Sequence, residues 1–198
     1  MPIMSEDEVL DIYKSIGALL EGHFILSSGL HSRMYLQSAL VFSNSIVAEG
    51  LCKTLANRVR NVIDIEDIDI IVSPAMGGII VGYELSRHLM KPNIFAERKD
   101  GKFTIRRGFK IDKGQKILVV EDIVTTGKSS LECFECIKDL GGEIIAEAAL
   151  INRGGNSVDL GVPLITLANL NIPNYKSSQL PNDLINIPAV KPGSRPGK

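Results

Sequence analysis

The 198-residue chain lacks an excess of either charge: 22 Lys and Arg stand against 23 Asp and Glu, a formal net charge of −1. No overall field therefore draws it to nucleic acid or to an anionic membrane. It also lacks a long apolar run. The longest weakly polar stretch, residues 70–83, falls short of the ~20 residues a membrane helix needs, and Pro74 and Gly77-Gly78 interrupt it. The first residues, MPIMSEDEV, are acidic and have neither the basic region nor the apolar core of a secretory signal. Cysteine is scarce. Three cysteines are an odd number, which speaks against a disulfide framework and makes the cytosol (a cytoplasmic protein) the expected compartment. Cys133 and Cys136 form a lone CxxC. A zinc site takes about four ligands and no second pair exists, so packing is the expected role. The length suits one domain with a full-sized core.

What is present is a rhythm. Ser5-Glu-Asp-Glu8 fits a capping box opening an amphipathic helix to about Ile16. Residues 23–37 read as two short strands around a turn at Ser28-Gly29. A helix is expected over about 43–60, with Ile46, Val47, Leu51 and Leu55 on one face. Strands are then expected at 69–73, 93–96 and 116–120. A helix near 78–90 follows the first, a polar, basic segment over 97–113 the second, and a helix over 128–140 the third. Residues 144–151 form one more strand. Short Ile and Val runs separated by helix-length segments predict an α/β fold with a parallel sheet covered on both faces. Ligands of such sheets bind beyond the carboxyl ends of the strands, which selects SPAMGG, AERKDGK and EDIVTTGKS. The C-terminal stretch, rich in Pro and Asn, reads as irregular, and its tail KPGSRPGK as mobile in part.

One segment, VVEDIVTTGKSS at 119–130, joins two features that conflict. Thr125, Thr126 and Gly127 supply small residues, hydroxyls and backbone freedom ahead of a helix. The free N–H groups and partial positive charge of that helix's first turn make an anion site. Yet Glu121 and Asp122 stand at its entrance, where the chain is expected to turn away from its strand. Gly127-Lys128-Ser129 matches the end of the nucleotide P-loop pattern, but that pattern needs glycine at 122, and Asp122 would repel a triphosphate. An isolated acid pair at a strand end is ordinarily just solvated; the whole combination is more specific. A ribose 5-phosphate unit reconciles its parts. The phosphate would lie on the loop from Thr125 to Ser129, and the ribose hydroxyls on Glu121 and Asp122. Both carboxylates would then stabilise an oxocarbenium-like ring as the C1 bond breaks.

These residues carry a resemblance. ILVVEDIVTTGKS at 117–129 resembles the phosphoribosyl pyrophosphate (PRPP) signature of the type I phosphoribosyltransferases. That implies a Rossmann-like fold, a central parallel sheet flanked by helices, with a flexible loop and a small hood subdomain. In this single domain the hood would take about 1–40 plus part of 165–198, and the core about 41–164. Further segments resemble the orotate phosphoribosyltransferases: GHFILSSGLHS at 22–32 with Tyr35 (hood motif), SPAMGG at 73–78 (pyrophosphate loop) and FAERK at 95–99 with RRGF at 106–109 (catalytic-loop region). Asn152-Arg153 before Gly154-Gly155 resembles their orotate-binding arginine, and KPGSR at 191–195 their tail, so the match runs from about residue 5 to 195.

The resemblance implies transfer of the phosphoribosyl group from PRPP to orotate in pyrimidine (UMP) biosynthesis, giving orotidine 5'-phosphate and pyrophosphate. It implies Mg2+ as cofactor, held mainly by the donor with Glu121 and Asp122 nearby, rather than an all-protein metal site. Catalytic roles fall to Glu121, Asp122 and Lys102. Donor contacts fall to Ala75, Met76, Gly77, Gly78, Arg98, Lys99 and Lys102, and to the run Glu121, Asp122, Ile123, Val124, Thr125, Thr126, Gly127, Lys128 and Ser129. Orotate contacts fall to Ser28, Gly29, Thr125 and Arg153, whose planar guanidinium matches a carboxylate. A homodimer is implied, with the loop bearing Lys102 shared across subunits and Gly101 allowing it to move. His23 and His31 are expected to be ordinary hood residues. Two departures stand out: Thr104 lies where some members carry a loop histidine, and residues 179–184, QLPNDL, replace a Cys-rich segment. Purine or uracil phosphoribosyltransferases share the donor signature, and a non-catalytic regulator could keep the pocket. The hood motif and Asn152-Arg153 favour orotate, and no spare domain for DNA binding exists.

Overall fold

The computed structural model describes residues 3–26 and 28–192. The capping box opens α1, Glu6–Ser15: Glu8 N–H donates to Ser5 Oγ and Ser5 N–H to Glu8 Oε2. Strands β1, Leu19–Ile25, and β2, His31–Leu36, form an antiparallel hairpin, which β9, Asn174–Tyr175, extends into a three-stranded sheet. Helix α2, Ser45–Arg60, starts at Asn44, whose side chain accepts from the N–H groups of Ile46 and Val47. Leu51 and Leu55 face the core as expected. Ile46, expected beside them, is 76% exposed in the first turn.

The main sheet has six strands in the order β5-β4-β3-β6-β7-β8. They are β3 (Ile70–Pro74), β4 (Asn93–Lys99), β5 (Lys102–Ile105), β6 (Lys116–Val124), β7 (Glu143–Asn152) and β8 (Leu164–Asn169). All neighbours are parallel except β4 and β5. Crossover helices α3, Gly77–Leu89, and α4, Lys128–Asp139, cover opposite faces. Alternation along β6 shows this directly: Leu118 and Val120 join the apolar cluster of α1, α2 and α3, whereas Ile117 and Val119 join Phe134 and Ile137 of α4. Cys133 is buried in that second cluster, as a packing cysteine should be.

Three local differences from the sequence expectations matter. The basic segment after residue 96 is an antiparallel hairpin, β4–β5, turning at Asp100-Gly101 with both φ positive. An Asp-Gly pair suits that turn. Strand β8 was not expected at all. Strand β6 continues to Val124, four residues past the expected end, because β7 keeps pairing with it up to Val124 opposite Asn152. Beyond α5, Asn182–Ile185, the chain runs back along β1: Val190 N–H donates to the His23 carbonyl, and Ile25 N–H to the Val190 carbonyl. Of the motif KPGSR, only Lys191 and Pro192 lie within the described residues. No helix among the described residues is long and apolar enough to cross a membrane.

Candidate active site

The extension of β6 decides where its two acids point. Successive strand residues face opposite sides of the sheet. Glu121 therefore turns under α4, 3.5 Å from Ser130 Oγ, which donates at 2.8 Å to Glu147 of β7. Asp122 turns toward the start of α3, where a Cβ added to Gly77 would come within 2.5 Å of its Oδ1. Only glycine at 77 lets that backbone approach the carboxylate. The two acids of the motif therefore leave β6 on opposite faces of the sheet, Glu121 toward α4 and Asp122 toward the start of α3.

Glu121 is pushed up to about 8 by burial, then by the negative fields of Glu147 and Asp122; Ser130 and Arg98 pull it partly back. Burial raises Glu147 to about 7, with the Ser130 hydrogen bond opposing, and Glu147 Oε2 has no partner. One hydroxyl proton serves one carboxyl at a time, so this trio favours a state in which one acid keeps its own proton. Asp122 is also raised by burial, offset by the backbone N–H groups of Ile123 and of Asp122 itself.

After Val124 the chain turns in three residues. Gly127 has φ +76°, and a Cβ there would meet Leu160 Cδ2 at 2.7 Å, so glycine is required twice over. Helix α4 begins at the next residue; its N-cap, Gly127, has no side chain to offer, and the Lys128 N–H donates to Thr126 Oγ1 at 3.4 Å. Lys128 and Ser129 border a shallow cleft of about 490 Å³ with Thr125, Thr126, Arg98 and Gly101. Arg98 is paired with Glu132 and stacked over Phe103 at 4.1 Å. Lys99 and Lys102 face one another across the hairpin, exposed, and neither is among the described residues lining a cleft.

A larger cleft of about 920 Å³ lies between the two sheets, and Ser28, Ile123, Thr125, Thr126 and Arg153 all reach it. Gly29 sits in the turn beside it. Arg153 follows β7. Its Nη2 donates to Ser32 Oγ and Asn174 Oδ1, and its buried Nε has no partner. Burial lowers its pKa. The side chain borders the cleft while its Nε is closed off from it. Val124, by contrast, is buried, and its carbonyl is taken by Arg153 N–H. Ala75, Met76, Gly77 and Gly78 lie where β3 passes into α3; Met76 is exposed, and the Ala75–Met76 peptide bond is cis. Residues missed by sequence reasoning are Ser32 and Asn174, which orient Arg153, and Ser130 and Glu147 beneath Glu121. Only Glu147 left a signal, a lone charge inside the apolar strand EIIAEAALIN.

No group of three or more His, Cys, Asp or Glu gathers as a metal cage among the described residues. A partly buried single carboxylate against a bare backbone turn, Asp122 against Gly77, fits a metal whose other ligands come from a phosphorylated substrate.

A phosphoribosyl transferase domain profile matches residues 43–160. The chain is 52% identical to the orotate phosphoribosyltransferase of Caulobacter vibrioides (strain NA1000 / CB15N) over 97% of this chain and 98% of that one. It is 53% identical to that of Maricaulis maris (strain MCS10) with the same coverages. Among solved structures it resembles orotate phosphoribosyltransferase from Aeropyrum pernix at TM-score 0.66, 24% identity, 82% of this chain and 93% of that one. It also resembles adenine phosphoribosyl transferase from Trypanosoma brucei at TM-score 0.60, 15% identity, 94% of this chain and 87% of that one. The fold is therefore common to enzymes of different bases, and the close sequence relatives narrow it. The chain belongs to the phosphoribosyl transferase domain family and, within it, to the orotate phosphoribosyltransferases.

Proposed function

We propose that the chain transfers the phosphoribosyl group of PRPP to orotate, releasing pyrophosphate and forming orotidine 5'-phosphate. The observation that carries this is the shared cleft: the phosphate loop through Thr125 and Thr126 and the Arg153 side chain line one space of about 920 Å³. One end suits a phosphate, the other a planar carboxylate.

In this reading the loop from Thr125 to Ser129 holds the 5-phosphate on the N-terminus of α4. Asp122 faces the ribose and the pyrophosphate arm, which the turn from Ala75 to Gly78 receives, the Ala75 N–H itself being held by the Ala96 carbonyl. Glu121, turned under α4, acts on the sugar through the field and position of the loop above it. Ser28, Gly29 and Arg153 take orotate, with Thr125 at the junction. The C1–oxygen bond breaks with its electron pair going to pyrophosphate, while the ring nitrogen of orotate forms the new bond and gives its proton to the departing pyrophosphate. Fixed negative charge near the sugar stabilises the cationic ring more than the ground state. Mg2+, carried by the donor with Asp122 beside it, offsets the charge of the leaving group when bound. Arg98, Lys99 and Lys102 close over the pyrophosphate and exclude water.

We further propose a cytosolic homodimer whose β4–β5 hairpin serves the partner's site. Two facts support it. Lys99 and Lys102 are exposed on the hairpin and line neither of the two clefts described. Met76, Ile80 and Tyr83 expose an apolar stripe at helical spacing beside the pyrophosphate turn. Residues 1–40 with part of 165–198 are proposed as the hood over the cleft.

The test is an ultraviolet assay with PRPP and magnesium. Orotate should be consumed, adenine, hypoxanthine and uracil should not, and chelation should stop the reaction. Turnover of a purine in place of orotate would refute the reading.

A further inference from the structure

The C-terminal segment after α5 is built into the hood as a strap. Val190 forms a parallel bridge to Phe24, with backbone hydrogen bonds of 2.9 Å to His23 and 2.8 Å from Ile25. A side-chain chain pins it once more. The Ile187 carbonyl can only accept, so His23 Nδ1–H donates to it at 2.7 Å. In neutral rings, His23 Nε2 then accepts from His31 Nδ1–H at 2.6 Å. Two buried imidazoles thus hold one strap register, and the next residues, Lys191 and Pro192, line the large cleft.

Among the described residues lining that cleft, Arg153 and Lys191 are the two that carry charge, and both are cations. They come from different elements: Arg153 from the end of β7, Lys191 from the strap along β1. The phosphate already has the α4 N-terminus on the core side. The strap arrives instead beside Ile25, Leu26 and Tyr35, a largely apolar wall suited to a flat ring.

Resting on the orotate reading above, we propose that Lys191 is a substrate-binding residue that takes the carboxylate of the pyrimidine from the hood side. The strap is then part of the binding site, and the His23–His31 pair sets where its lysine stands. Acceptors that lack the carboxylate gain nothing from this cation, so Lys191 contributes to the choice of base.

The experiment measures orotate and uracil binding by calorimetry, and the KM of both substrates, for wild type, Lys191→Met and Lys191→Arg. Losing one charge-assisted contact should weaken orotate binding roughly tenfold in Lys191→Met. The donor KM should move less than about twofold, uracil binding should stay as it was, and Lys191→Arg should recover most of the loss. Unchanged orotate binding in Lys191→Met, or a loss confined to the donor, would overturn the inference while leaving orotate transfer intact. Wild-type chain that binds no orotate would overturn the functional reading and, with it, this one.

Discussion

Two neighbouring carboxylates have different surroundings because a strand alternates. Asp122 stands toward the open end of β3 and α3, Glu121 under α4 with Ser130 and Glu147. Asp122→Asn should keep the fold and lower kcat by about 2–4 kcal/mol of lost transition-state stabilisation; near-normal turnover in a single-turnover assay would remove the assigned role. Arg153→Ala should raise the orotate KM well above any change in that of the donor, and equal effects would argue for a structural role. The buried pair has a pH signature. Glu121 and Glu147 are raised from 4.5 to about 8 and about 7, so the folded chain keeps protons that the unfolded chain releases. Their contribution to stability is complete below about 4.5 and is lost as pH rises through about 7–8. Glu147→Gln should therefore melt higher than wild type, by a margin that widens from about pH 5 to about pH 8. A constant margin in thermal scans would show that the pair is not the source.

At the level of elements, glycine marks where backbone and site approach. A methyl at Gly77 would press on the Asp122 carboxylate, whereas one at Gly127 would meet Leu160 and force a left-handed backbone on a side chain. Gly77→Ala should thus lower kcat with little change in melting temperature. Gly127→Ala should cost about 1 kcal/mol or more in denaturant unfolding as well as activity. Both glycines sit at a strand's carboxyl end before a crossover helix, the position that the alternating pattern of short apolar runs selects for a ligand. The β4–β5 hairpin was not read from the sequence, although Asp100-Gly101 is a turn signal. Its turn signal was masked by the basic residues around it. Strand β8 escaped because LITLAN sits in a Pro- and Asn-rich stretch and gains its strand character from pairing with β7.

For the whole molecule, the proposed exchange of the hairpin between subunits is tested by mixing them. Subunits carrying Lys102→Ala and subunits carrying Asp122→Asn should each be poorly active, and their mixture should regain activity if the hairpin is exchanged across a dimer. Confirmed heterodimers with no recovery would count against exchange. The apolar stripe of Met76, Ile80 and Tyr83 on α3 gives a second check: Tyr83→Glu should shift sedimentation toward the monomer and lower activity together.

Local structure was readable along the chain. The capping box at Ser5, the parallel-sheet rhythm and the strand-to-helix turn before α4 each depend on residues a few positions apart, and the chain's own spacing determines them. The facing of Glu121 and Asp122 was not readable, because it depends on how far β7 goes on pairing with β6. Nor were the partners of Arg153, since Ser32 and Asn174 lie 121 and 21 residues away in the chain. The seat of Lys191 needs β1, two histidines and the returning strap at once. Contacts between distant residues form only when loop closure is offset by burial, and no local pattern records which distant segment supplies it.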